Sequence, residues 1–304
     1  MGDVLKRLPQ HARVTVIRIR SLGDCVLTTP AISLLKHHRP DLEIAVVVEN
    51  RFCGVFEDNP DIAQLLPPEP AALSAWRPYM VLNFHGGTRS MWMTLASRAK
   101  IRAGFGHHAY SFLYNARIPR AQQILGEERP VHTAEHLASA MFWLGVPHTH
   151  IPRAKLVAQP LANPPADSYA VIHPFASAPE KAWAAENFVG VARHLQQSGL
   201  TPVILAGPSD DTTAFSEFRV YRNAPLGEVK SLMSEAQLFI GNDSGPAHIA
   251  AAFGLPVVVL FGPSNPVTWA PWRTEAQVLT SKQGMPGISV PQVIAAAEAL
   301  KVRA

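Results

Sequence analysis

The chain has 304 residues and a formal net charge of +4, with 47% hydrophobic and only 16% charged residues. This balance describes a folded protein with a substantial core and excludes a disordered one, while the mild basic excess, spread without a Lys/Arg run, suits an anionic substrate or an acidic membrane surface better than nucleic acid. Cys25 and Cys53 form no CxxC pair, no apolar run reaches the roughly 20 residues of a membrane span, and residues 1–13 lack the apolar stretch of a signal peptide, so a cytoplasmic setting is expected.

In chain order, β-branched apolar runs at 14–19, 44–48 and 79–84 predict buried strands of a parallel sheet, with amphipathic helices between them. After the first run comes Arg20-Ser21-Leu22-Gly23-Asp24, and Thr29 with Pro30 reads as N-cap and N1 of the next helix. Asp24 is therefore expected in a loop at the sheet's carboxyl edge. A carboxylate there can serve as general base toward a hydroxyl, and a plain turn aspartate is the alternative. Farther on, Arg89, Arg98, Lys100, Arg102, His107 and His108 give a basic character that suits an anionic ligand or, equally, a solvated surface. Ala134, Leu137, Ala138 and Met141 recur at helical spacing and mark a core stripe.

Between 146 and 168 the prolines Pro147, Pro152, Pro160, Pro164 and Pro165 predict an irregular connection, so the chain divides into halves at 1–160 and 161–304. Strands are expected again at 169–173, 202–206, 237–241 and 256–261. Core stripes run through Phe188, Val191, Ala192 and Leu195, and through Val229, Leu232, Met233 and Ala236. A last helix at 291–302 could belong to either half.

The densest polar segment is Gly241-Asn242-Asp243-Ser244-Gly245-Pro246-Ala247-His248, a strand end running into a helix whose N1 position suits Pro246. Free amides and the dipole at such a helix start make a phosphate site, and strand ends of an open parallel sheet are where these folds bind ligands. Simple capping by Asp243 and Ser244 is the competing reading. A second turn, Phe261-Gly262-Pro263-Ser264-Asn265-Pro266, is expected beside it. A third, His173 to Trp183, carries Lys181, either a phosphate ligand or a surface lysine.

These segments resemble glycosyltransferase family 9, the heptosyltransferases of lipopolysaccharide core assembly. The resemblance rests on Asn242 to Gly254 with Phe261-Gly262-Pro263, on Ile17-Arg18 through Gly23-Asp24 to Thr29-Pro30, and on His85-Gly86-Gly87 with Arg89-Ser90. Lys181, Trp183 and the stretch from His132 to Gly145 add to it, so nearly the whole chain is covered. It implies an α/β fold of the GT-B type: two Rossmann-like domains with parallel sheets facing a central cleft, acceptor bound by the first and donor by the second. It also implies inverting transfer from a nucleotide-sugar donor, typically ADP-heptose, to a lipid A/Kdo-type or inner-core saccharide, at the cytoplasmic face of the inner membrane. Asp24 would be the base and Lys181 would hold the diphosphate. Asp243, Ser244, Gly245, His248, Gly262 and Ser264 would line the donor site, and Glu228 would meet the ribose. Electrostatics alone, not the resemblance, suggest Arg89 and Arg102 for an anionic acceptor, with solvated surface the equal alternative.

No metal is expected in the chemistry, because no DxD motif stands at a strand end, although Mg²⁺ can accompany the diphosphate. The chain departs from the family at Phe175, where a glycine is usual, at Ala184, and in the turn from Gly207 to Asp211. It also lacks the paired cysteines near the C-terminus. Losing the glycine at 175 is expected to narrow the donor pocket or reshape its loop. Two other readings stay open: a nucleotide-sugar epimerase of the same architecture, and an inactive nucleotide-binding regulator.

Overall fold

The computed structural model describes residues 4–165 and 168–301. They form two compact units, Met1–Lys155 and Leu156–Ala304. The first unit carries strands β1 (Arg13–Ile17), β2 (Glu43–Val47), β3 (Gln64–Leu66), β4 (Met80–Asn83), β5 (Ile101–Phe105) and β6 (Ala116–Ile118). Its helices are α1 (Leu22–His38), α2 (Pro70–Trp76), α3 (Thr88–Ala96), α4 (Ala121–Leu125) and α5 (Thr133–Leu144). The second carries β7 (Tyr169–His173), β8 (Thr201–Ala206), β9 (Arg219–Arg222), β10 (Leu238–Asn242), β11 (Val257–Phe261) and β12 (Ala276–Thr280). With them stand α6 (Ala185–Gln197), α7 (Leu226–Glu235), α8 (Gly245–Ala252), α9 (Pro266–Trp269) and α10 (Val290–Lys301). The last helix packs on α6, β11 and β12.

Both sheets are parallel throughout and share one winding. Their orders are β3-β2-β1-β4-β5-β6 and β12-β11-β10-β7-β8-β9, so each reverses direction between its first and fourth strands in chain order. This is the doubly wound Rossmann arrangement, and it opens a crevice at the carboxyl ends of β1 and β4, and of β7 and β10. The central strands are apolar on both faces because helices cover both sides. Ile17, Val46, Val81, Ile172, Ile240 and Leu260 are all fully buried, and each such side chain contributes about 1.5–3 kcal/mol by leaving water.

The start of α1 corrects the sequence reading. The helix begins at Leu22 with Ser21 as N-cap, so Asp24 lies in its first turn, and Thr29 and Pro30 are helix interior. Pro30 has no N–H to give the Val26 carbonyl four residues back. The Thr29 hydroxyl donates to that carbonyl instead, at 2.8 Å. The proline is thereby accommodated inside the helix. A smaller correction applies to α8, where Ser244 is the N-cap and Gly245 is N1, so Pro246 occupies the second helical position.

Candidate active site

In the first unit, β1 runs out at Ile17 and the buried Arg18 follows, only 7% exposed. Its guanidinium donates to Asp24 Oδ1 at 3.2 Å, while the Ser21 hydroxyl donates to Asp24 Oδ2 at 2.9 Å. Each carboxylate oxygen is held by one donor and keeps further acceptor capacity. Burial depresses the Arg18 pKa, and the Asp24 charge beside it opposes that depression. The arrangement fixes a carboxylate in the first turn of α1, at the carboxyl edge of β1.

The neighbouring strand ends in Asn83, fully buried. Its side-chain oxygen accepts the backbone N–H groups of His85 and Gly86, at 3.1 and 3.0 Å, and its amide donates to Ser90 and Thr94. Gly86 has φ +77°, and a Cβ there would stand 2.7 Å from the His108 ring. The turn therefore needs glycine both for its backbone and for the imidazole pressed against it. Behind it, Phe105 stacks on His136 at 4.0 Å, and the His107 and His108 rings lie 5.0 Å apart. Burial, then neighbouring positive groups including Arg18, brings the pKa values of His108 and His136 down to about 4. Burial, then Arg18 and Arg20, lowers that of His85. The histidines beside this edge are thus kept neutral at pH 7.

In the second unit an equivalent asparagine ends β10. Asn242, fully buried, donates to the Pro174 carbonyl at 2.8 Å and accepts the Trp183 N–H at 3.2 Å, fastening both ends of the loop after β7. Trp183 is core: it lies edge-on to Phe188 with ring centroids 4.9 Å apart, and its indole N–H donates to the Ile288 carbonyl. Lys181, two residues earlier in a short 3₁₀ turn, is carried by this anchor. Its Nζ stands 3.7 Å from Asp243 Oδ2. Gly262 makes the same crossing possible from the next strand, since a Cβ there would lie 2.6 Å from the Glu180 carbonyl oxygen.

At the start of α8 the helix leaves the amides of Gly245 and Ala247 without intrahelical partners. The Ser244 hydroxyl, which makes no capping bond, is a buried oxygen with no hydrogen-bond partner. An orphaned buried hydroxyl costs free energy unless a ligand satisfies it, and a diphosphate oxygen could do so. His248 is buried one turn on, its ring 6.5 Å from that of Trp269. Ser264 lies in the turn between β11 and α9, where the Asn265 side chain caps the helix.

Other expected residues are placed differently. Glu228 stands in the first turn of α7, two strands from β7 at the same carboxyl edge, about 10 Å away by strand spacing. It lines a cavity of about 320 Å³ with Arg219 and Tyr221. Arg102 is committed to structure, its guanidinium donating to the Leu113 and Ala99 carbonyls. Arg89 donates to the Pro68 carbonyl and pairs with Glu49 at 3.6 Å. The ring of Phe175 turns into the core against Phe215 and His173, each with centroids 6.0 Å away, so the residue that departs from the family pattern is absorbed by packing.

Sequence reasoning did not assign roles to Arg18, Asn83, Asn242 or His85. Among these, Asn83 and Asn242 each end a strand just ahead of a glycine-containing turn, and that recurrence was the available signal.

The profile of glycosyltransferase family 9 (heptosyltransferase) matches residues 75–293. The chain belongs to that family. Over 290 residues this family 9 chain is 30% identical to lipopolysaccharide heptosyltransferase 3 of Escherichia coli (strain K12), covering 84% of this chain and 83% of the relative. Among solved structures it is similar to the family 9 glycosyl transferase from Veillonella parvula, with a TM-score of 0.85 and 24% identity over 97% of this chain and 98% of the other. It also resembles the E. coli ADP-heptose lps heptosyltransferase II, with a TM-score of 0.82 and 18% identity over 96% and 99%. The fold is GT-B, and this family 9 protein is a glycosyltransferase of the heptosyltransferase class.

Proposed function

We propose that this enzyme transfers a heptose, with inversion, from ADP-heptose to a hydroxyl of a lipopolysaccharide core saccharide, working at the cytoplasmic face of the inner membrane. On this reading Asp24 takes the proton of the acceptor hydroxyl as the oxygen attacks the anomeric carbon. The bond from that carbon to the diphosphate oxygen breaks, and ADP departs with the electron pair. Fixed amides at the start of α8, the Ser244 hydroxyl and the Lys181 ammonium take up its charge without solvent reorganisation. Asp243 meets the donor sugar, Gly262 and Ser264 border the donor, and Glu228 reaches toward the ribose across the strand edge. The acceptor is held by the first unit, where Arg89 is the better-exposed of the two expected arginines.

One observation carries the reading: the cation, the carboxylate and the helix start that a diphosphate sugar needs converge where the winding of the second sheet reverses. No metal is required for the chemistry, and Mg²⁺ can accompany the diphosphate. The test is mass spectrometry of products from a panel of ADP- and UDP-sugars with truncated core acceptors, with and without EDTA. Heptosylated acceptor from ADP-heptose alone is the expected product. Epimerised donor in the absence of acceptor, or donor binding without turnover, would overturn the proposal.

A further inference from the structure

Four large hydrophobic side chains are exposed among the described residues, and three of them, Trp92, Tyr110 and Phe112, belong to one region of the first unit. Helix α3 buries Ser90, Met91, Met93 and Thr94 and turns Trp92 outward, 66% exposed. Thr88 and Arg89 lie four and three residues before Trp92, so the three share the outer face. The Thr88 hydroxyl donates to the Tyr110 hydroxyl at 3.3 Å, which ties this face to the 106–115 connection. That connection carries Phe112, 65% exposed, and Arg117 donates to the Phe112 carbonyl at 3.4 Å.

Cations outnumber anions along this part of the chain. Between Glu69 and Glu127 the chain holds Arg77, Arg89, Arg98, Lys100, Arg102, Arg117 and Arg120, and no Asp or Glu. Glu49 pairs with both Arg51 and Arg89, so the cations beside the aromatic side chains that stand exposed after the 106–115 connection are Arg117 and Arg120. Large aromatic side chains held in water and bordered by cations fit a surface with an apolar interior and an anionic face. No helix among the described residues is long and apolar enough to cross a membrane, so such contact would be peripheral.

We propose that the outer face of α3 and the 106–115 connection form a docking surface for an anionic phospholipid bilayer. Trp92 and Phe112 enter the boundary between headgroups and acyl chains, Tyr110 stays at headgroup level, and Arg117 and Arg120 meet lipid phosphates. A few arginines and two aromatic side chains give reversible, salt-sensitive attachment rather than anchoring. Because α3 starts where β4 ends, one strand from β1, the surface borders the edge that carries Asp24. Delivery of a lipid-linked acceptor to Asp24 follows only if the function proposed above holds; the docking itself does not depend on it.

Sedimentation of the full chain with vesicles tests this directly. Vesicles of phosphatidylglycerol and phosphatidylethanolamine should bind the protein, and phosphatidylcholine vesicles should not. Raising salt to about 0.5 M should weaken binding, as screening requires. Trp92→Ala with Phe112→Ala should weaken binding at least about tenfold with an unchanged melting temperature, because both side chains are exposed. Arg117→Glu with Arg120→Glu should weaken it independently. Failure of the native protein to bind the anionic vesicles overturns the proposal, and so does binding that the aromatic pair does not affect. Self-association abolished by the aromatic substitutions, without vesicle binding, would assign the patch to a second copy instead.

Discussion

Lys181 Nζ lies 3.7 Å from Asp243 Oδ2, a distance set by two buried anchors: Trp183 beneath the lysine's loop and Asn242 immediately before the aspartate. The pair holds a cation beside the start of α8 while leaving it 31% exposed toward solvent. A bound diphosphate could therefore recruit the ammonium without a large rearrangement.

Lys181→Ala should lower kcat by about 100- to 1000-fold, the usual loss for one preorganised charge at a leaving group. Lys181→Arg should recover part of it. Asp243→Ala should act mainly on donor KM, raising it about 10- to 100-fold, and the double variant should lose less than the two singles together. Steady-state kinetics with varied donor checks this, and strict additivity would show that the two residues act separately.

Asp24→Asn should reduce kcat at least about 100-fold, the low end for loss of a general base, with donor affinity nearly intact. The amide still fits between Arg18 and Ser21, so the fold should survive. Ser21→Ala removes only one of the two orienting donors, and its loss should stay within about tenfold. Near-normal turnover by Asp24→Asn would remove this residue from the role.

Gly262→Ala should disturb the donor site from a distance. Its Cβ would stand 2.6 Å from the Glu180 carbonyl oxygen and 3.4 Å from the Lys181 Cα, and backbone cannot yield as a flexible side chain does. Unfolding free energy should fall by roughly 1–3 kcal/mol, and donor KM should rise because the Lys181 turn is displaced. Calorimetry of ADP binding beside a urea titration separates the two effects. Unchanged ADP affinity in a folded variant would mean that the turn does not position the donor.

Stability should depend on pH between about 6.5 and 4. In the folded unit His108 and His136 have pKa values near 4, chiefly from burial, whereas in the unfolded chain they return to about 6.5. The unfolded state then binds more protons throughout that window, so stability is complete above it and declines as pH falls through it. A loss on the order of 1–2 kcal/mol by pH 4.5 is expected, since both rings remain partly accessible. Asp41, held well below the usual carboxylate range chiefly by its bond to Arg39, adds a separate loss at lower pH, starting near its ordinary value. Urea titrations at pH 7.5, 6 and 5 check the window. His136→Phe, which keeps the stack on Phe105, should flatten the profile, and a native profile already flat to pH 5 would contradict the assignment.

The central strands were legible because Val14 to Ile17 is β-branched throughout and Val257 to Phe261 is apolar without interruption, the mark of strands covered on both faces. The edge strands β3, β6, β9 and β12 were not. They run for three to five residues with one edge unpaired and leave side chains partly exposed, so neither length nor periodicity separates them from loop. Interior β5 was hidden by Arg102 and Gly104, the latter required because a Cβ would strike the Tyr114 ring. Pro30 misplaced the start of α1, since the Thr29 hydroxyl that compensates for its missing donor is a three-dimensional fact.

By itself, the order of residues determined the chemistry on offer: an aspartate after the first strand, a lysine before a tryptophan, and a polar glycine-rich helix start. Which of these stand together was decided only by folding. A parallel sheet that reverses its winding sets the ends of β7 and β10 side by side, however far apart they lie in the chain. The buried side chains of Asn83 and Asn242 then shape the turns, because polar groups taken out of water must find partners and can find them only in the folded sheet.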